Sequence, residues 1–169
     1  WGGMASFWAI KNHVWPNAAL FEDDPNVDFN AVDDTWKWAG NFSGTYMAPL
    51  GIQLAAFYQA KVGILDQRTV IFRATDPDGG PSLRQLSTVT LKVEEKGAQN
   101  TDAINVVNLR ASKWFPFSSG QRVQFDFDLF NIFNSSAPIT ANLQSGPTFL
   151  YATAVVPPRI ARIGFRYTF

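Results

Sequence analysis

Asp126 and Asp128 stand two apart in Val123-Gln124-Phe125-Asp126-Phe127-Asp128-Leu129. In an extended chain both carboxyls then leave the same face. Two carboxyls about 5–9.5 Å apart across a substrate are what glycoside hydrolysis needs. A polar wall, with Arg110, Arg162 or Arg166 as cross-strand partners, accounts for the same pair more simply.

A second candidate is the acidic stretch 22–34, where Glu22-Asp23-Asp24-Pro25 is joined by Asp28, Asp33 and Asp34. Calcium takes about six to eight oxygen ligands, and these carboxylates could supply them. Their spacing matches no calcium loop, so a solvated acidic loop is the default. Asp76-Pro77-Asp78-Gly79 opens like an EF-hand, but position twelve from Asp76 is Ser87 and not the required Glu, so turn chemistry is preferred. His13 is the only histidine and reads as a loop residue. No Gly-rich phosphate loop, serine elbow or His-Glu-x-x-His is present. The chain has no cysteine, which excludes disulfides, thiolate metal sites and cysteine nucleophiles. The expectation is a protein that is not an enzyme and has no cofactor.

The elements that would carry these residues point to a different use. The last eleven residues, Arg159 to Phe169, alternate Ala161, Ile163, Phe165, Tyr167 and Phe169 against Ile160, Arg162, Gly164, Arg166 and Thr168. A strand with lipid on one side and a wet lumen on the other takes this form. Aromatics make up 15% of the chain and charged residues only 17%, a ring-rich and charge-poor balance for a soluble domain. The 14 basic and 14 acidic residues cancel, which argues against a nucleic-acid partner and a polybasic membrane-surface protein. No run approaches the roughly 18 apolar residues of a membrane-crossing helix. The chain starts with Trp1 and has no signal peptide, so a processed form or a piece of something longer is expected.

Six segments alternate with period two: about 3–12, 35–48, 51–62, 104–115, 121–134 and 159–169. Most are near the 9–11 residues, roughly, that a tilted strand needs to cross a bilayer. Pro49-Leu50 and Ser118-Ser119-Gly120 make short connections, whereas 13–34, 63–103 and 135–158 are long. Short turns on one side and long loops on the other fit an outer-membrane barrel, with the short turns periplasmic. Within 63–103, Arg68 to Ala74 and Leu86 to Glu95 flank the turn Thr75–Pro81 and read as a hairpin extending the wall above the membrane. On this reading Phe125, Phe127, Leu129, Ile163, Phe165 and Tyr167 face lipid. Arg110, Gln124, Asp126, Asp128, Arg162 and Arg166 face the lumen. Trp1, Trp8, Trp36, Trp38, Trp114, Tyr46, Tyr58 and Tyr167 lie near segment ends, as interface-belt rings do. The rival is a soluble β-sandwich binding module, with rings stacking on sugars.

Several of these segments resemble one family. Asp128-Leu129-Phe130-Asn131-Ile132-Phe133-Asn134 is similar to the Asp-x-Phe-Asn-x-Phe-Asn strand near the end of TonB-dependent outer-membrane transporters. Asn108-Leu109-Arg110-Ala111-Ser112-Lys113-Trp114-Phe115 is similar to the strand before it. Pro157-Pro158-Arg159, followed by Ile163 to Phe169, resembles the family's ending, and Asn41 to Tyr46 before Pro49 also fits. The likeness is greatest to Oar-type receptors with a carboxypeptidase-regulatory-like N-terminal domain, and covers 35–169 well and 1–34 loosely.

The resemblance implies an all-β fold: an antiparallel up-and-down transmembrane β-barrel segment, about six strands of a larger barrel. It implies the outer membrane, contact with its lipid, and TonB-energised movement of a bulky ligand. Phe169 would be read by the barrel-assembly machinery. The family's plug domain and TonB-contacting box have no counterpart in these residues, so TonB would act only through a plug region outside them. The family's barrels have roughly 22 strands, and even the smallest bacterial barrels have about eight. The six segments are therefore expected to be a C-terminal piece of a larger barrel, or to pair with other chains. A structural barrel subunit in an envelope assembly is the alternative function.

Overall fold

The computed structural model describes residues 1–14, 30–73, 75, 87–117 and 120–169. Among the described residues there are twelve strands: β1 (Gly2–Lys11), β2 (Trp36–Ala48), β3 (Ile52–Lys61), β4 (Leu65–Asp66), β5 (Thr69–Arg73), β6 (Thr88–Lys92), β7 (Gln99–Asn100), β8 (Ile104–Pro116), β9 (Arg122–Phe130), β10 (Pro138–Ala141), β11 (Ala152–Val155) and β12 (Ile160–Thr168). Six of them form one antiparallel sheet in the order β1-β2-β3-β8-β9-β12. Each of the six long alternating segments therefore lies beside its neighbour in sequence, with no crossover.

Register decides which residues share a face, because directly opposed residues point the same way. One cross-strand row runs Thr45, Ala55, Arg110, Asp128, Arg162. The next row on the opposite face runs Gly44, Ala56, Leu109, Leu129, Ala161. The alternation in sequence thus becomes one polar face and one apolar face. The chain turns at one end of the sheet through the 3-10 turn Pro49–Gly51, where Leu50 and Gly51 both take positive φ, 67° and 71°. The long connections leave from the other end.

Those connections carry strands of their own. β5 pairs with β6 and β4 with β7, so the β3–β8 hairpin continues as an arm of two separate two-stranded sheets. The expected hairpin is present. Most of its tip, Thr75–Pro81, lies outside the described residues. The base of the arm is tight: a Cβ on Gly63 would strike the backbone oxygens of Thr101 and Asp102. Gly63→Ala is expected to cost about 2 kcal/mol, because backbone must move to admit the methyl. A urea midpoint for the refolded protein in detergent checks it, and an unchanged midpoint would contradict the contact.

Two sequence expectations are corrected here. The 121–134 segment ends as a strand at Phe130, because Asn131 turns into the left-handed region at φ 49°. The 135–158 loop is not a plain loop but holds the hairpin β10–β11.

Among the described residues a core is nearly absent. The buried apolar ones among them are Ala60, Ile104 and Val156. Among the described residues the two sheet faces are both open, and both edges, β1 and β12, lack a neighbouring strand.

Candidate functional site

On the polar face, Asp128 is 3% exposed and lies between two arginines. Arg110 and Arg162 are its direct cross-strand neighbours on β8 and β12. Arg110 donates through Nε and Nη2 at 2.5 and 3.2 Å, and Arg162 donates through Nε and Nη2 at 2.9 and 2.7 Å. Arg110 grips both carboxylate oxygens fork to fork, the strong form of this contact, whereas both Arg162 donors converge on Oδ2. The Arg162 guanidinium also lies 5.4 Å from the Phe130 ring centroid. Asp126 is handled differently, accepting from Ser112 Oγ and Gln124 Nε2, each at 2.6 Å. The two carboxylates considered for catalysis are thus a three-strand ion-pair tie and an acceptor held by two uncharged side chains. Arg166 lies opposite Gln124 and touches neither acid.

Motif residues gather at the long-loop end of the same strands. The Asn131 side chain donates to the carbonyls of Ser135 and Pro157 at 2.9 and 2.7 Å and accepts from Ser135 N–H at 2.9 Å. Its own N–H donates to Asn108 Oδ1 at 2.9 Å. Asn134, also left-handed at φ 53°, accepts the Arg159 N–H at 2.9 Å. Asn108, Asn131, Asn134, Pro157 and Arg159 therefore form one knot that ends β9 and aims the chain into β12. Sequence reasoning singled out these segments but missed the knot, because its partners lie more than twenty positions apart.

No protein-family model matches the chain, and neither does any curated protein or solved structure.

The apolar face holds Phe125, Phe127, Leu129, Ile163, Phe165 and Tyr167 together, as their alternation required. Phe165 is 78% exposed and Ile163 75%. Phe125 meets Phe115 edge to face at 5.9 Å, and Tyr167 meets Phe169 at 6.0 Å. Lys11 and Lys113 are the only charged residues on this face of the six strands, and neither is central: Lys11 ends β1 and Lys113 opposes Ile52, the first residue of β3. Over Gly3, Gly44 and Ala56, small side chains leave a trough of about 750 Å³ walled by Phe42, Tyr46, Leu54 and Phe127. Trp36, Trp38, Tyr46, Tyr58 and Tyr167 share the apolar face. Trp8 and Trp114 do not: they oppose Ala39 and Gln124 on the polar face, opposite the other rings of the expected belt.

Beyond the sheet, the long connections are pinned to one another. Gln67, 4% exposed, donates to the carbonyls of Asn30 and Glu94, both at 3.0 Å. Arg68 donates to Ser145 Oγ at 2.8 Å and lies 4.6 Å from the Phe149 ring centroid. Thr69 exchanges backbone hydrogen bonds with Leu143 and Ser145 at 2.9 and 2.7 Å.

Residues 22–29 of the acidic stretch and Asp76–Gly79 lie outside the described residues. Asp33 and Asp34 are described and are engaged. Asp34 takes Lys11 at 3.1 Å and His13 at 3.4 Å. Burial opposes ionisation of Asp33, but hydrogen bonds from Thr35 and Asn12 and the Lys37 charge outweigh it and bring its pKa down to about 2. Among the described residues no group of three or more metal-ligating side chains occurs. Because the folded pKa of Asp33 lies below its ordinary 3.8, its stabilising effect is complete above 3.8 and is lost as pH falls toward about 2. Limited proteolysis between pH 5 and pH 2, roughly, should show residues 30–35 released across that window. Asp33→Asn should show no such step, and a parent insensitive to pH would refute the linkage.

Proposed function

We propose that the chain is the C-terminal wall portion of a TonB-dependent-transporter-like outer-membrane β-barrel, which admits a bulky ligand across the outer membrane. One observation carries the reading: a six-stranded meander with an open, centrally uncharged apolar face, an open polar face and almost no core among the described residues. At about 4.8 Å per strand and 3.4 Å per residue, the apolar face is roughly 25–30 Å on a side. That equals the apolar band of a barrel wall, about 25 Å tall, and exceeds what a soluble monomer exposes, about 300–600 Å². Both unpaired edges call for further strands, since open edges in lipid cost several kcal/mol per unsatisfied group, roughly. Short turns at one end and mutually pinned arms at the other suit a periplasmic rim and an external wall that meets ligand.

The structural-subunit reading has its own support. The Asp128 tie and the Asn131 knot spend the motif residues on strand-to-strand contacts, which any barrel could use.

The chain lacks cysteine, so single introduced cysteines report sidedness without background. In cells making the full-length protein, Ser136→Cys should react with an impermeant maleimide from outside, and Leu50→Cys only after permeabilisation. Labelling of both in intact cells, or of neither after permeabilisation, counts against the topology. Loss of ligand uptake without TonB separates the transporter from the structural subunit.

A further inference from the structure

The polar face is electrically lopsided. Six basic side chains, Lys37, Lys61, Arg110, Arg122, Arg162 and Arg166, share it with only two acidic ones, Asp126 and Asp128. The whole chain is neutral, so this is a local arrangement and not a consequence of a basic protein. Arg110 and Arg162 are spent on Asp128, and Lys37 reaches Asp33 at 3.4 Å. Asp126, the nearest remaining carboxylate, is held by Ser112 and Gln124. Lys61, Arg122 and Arg166 are left without a carboxylate partner among the described residues.

Arg122 and Arg166 form a corner at the short-turn end. Arg122 opposes Thr168 and Arg166 opposes Gln124, so the two arginines are diagonal neighbours on adjacent strands. Such neighbours stand about 7–8 Å apart. The Arg122 guanidinium lies 4.7 Å from the Trp114 ring centroid, and Trp114 in turn opposes Gln124. Trp114 thus holds the Arg122 fork toward β8, while Arg166 stands exposed on β12.

We propose that this corner docks an acidic polypeptide segment in extended conformation, with carboxylates at alternate positions. Side chains on one face of an extended chain repeat about every 6.8 Å, close to the about 7–8 Å between the backbone positions of the two arginines. Planar guanidinium groups recognise carboxylates bidentately, and Trp114 supplies an apolar wall on the β8 side of Arg122. The inference rests on the reading above only in needing the polar face open to water. Sidedness labelling tests that reading, whereas binding to purified folded protein tests this one.

The probe is a dye-labelled Glu-Thr-Glu-Thr-Glu peptide, titrated by anisotropy against the purified full-length protein in detergent. Binding should weaken as salt rises. Arg122→Gln with Arg166→Gln should weaken it about tenfold or more, while the heat-modifiable folded band stays intact. Arg166→Glu alone should favour Lys-Thr-Lys-Thr-Lys instead, which guards against a double variant that fails to fold. A peptide with its three acids adjacent should bind less well than the alternating one. Equal binding by the folded double variant would overturn the proposal. So would equal displacement by inorganic phosphate, which would mean the corner reads any anion and not an acidic segment.

Discussion

In a bilayer, the Phe127→Arg protein is expected to be less stable than its parent by about 2–4 kcal/mol. Phe127 sits between Ala111 and Ile163 in a cross-strand row that contains no charge. An arginine there must reach past apolar neighbours to find water or lipid headgroups. If the face met water instead, the same change would cost almost nothing, since surface substitutions usually fall within about 0.5 kcal/mol. Urea titration of the refolded protein in lipid vesicles measures the difference, and a cost near zero would remove lipid from this face.

Asp128→Asn is the companion measurement on the opposite face. From alternation alone its cost is expected to be far below that of Phe127→Arg, as for any residue of a wet wall. The geometry raises it. Asparagine leaves Arg110 and Arg162 beside each other without the carboxylate that both forks grip. A fully buried ion pair broken on one side costs about 3–5 kcal/mol. Here the arginine side chains are 49% and 59% exposed and can rehydrate, so about 1–3 kcal/mol is expected. Arg162→Gln should cost less than Asp128→Asn, because Asp128 keeps Arg110. The reverse order would mean that Arg162 acts mainly through Phe130.

The period-two rows were legible in the sequence because lipid-like and water-like residues alternate without interruption from Val123 to Leu129 and from Ala161 to Phe169. The end of β9 was not. Ile132 and Phe133 extend a strand-like composition past Phe130, and only the left-handed backbone at Asn131 breaks it. The hairpin β10–β11 was missed because each strand is four residues long, too short for periodicity to register. Partners for Asp128 were legible only as a set of three arginines. Register selects Arg110 and Arg162 and places Arg166 beside Gln124. The rings of Trp8 and Trp114 face the polar side for the same reason: proximity to a strand end is readable in one dimension, but facing depends on pairing. The unequal charge of the polar face was likewise invisible until six strands were laid side by side.

Deleting Phe169 from the full-length protein is expected to reduce outer-membrane insertion sharply. Phe169 follows β12 directly, is 96% exposed and touches protein chiefly through the Tyr167 ring at 6.0 Å. By packing alone such a residue contributes little, and terminal residues of soluble domains usually fray. Its removal should therefore leave the stability of an already folded barrel almost unchanged. A large effect on insertion must then come from recognition before folding, when the last strand is read by the assembly machinery, as the resemblance to transporters implies. The comparison is heat-modifiable protein in purified outer membranes, deletion against parent, with a second deletion of polar residues from 142–148 as control. The control should insert like the parent, because those residues lie in the turn between β10 and β11, which is external on the proposed reading. Equal insertion of the Phe169 deletion would refute the assembly signal. Accumulation of the parent as a soluble monomer would refute the membrane reading with it, since it would mean that some soluble partner surface covers the row from Leu109 to Ala161.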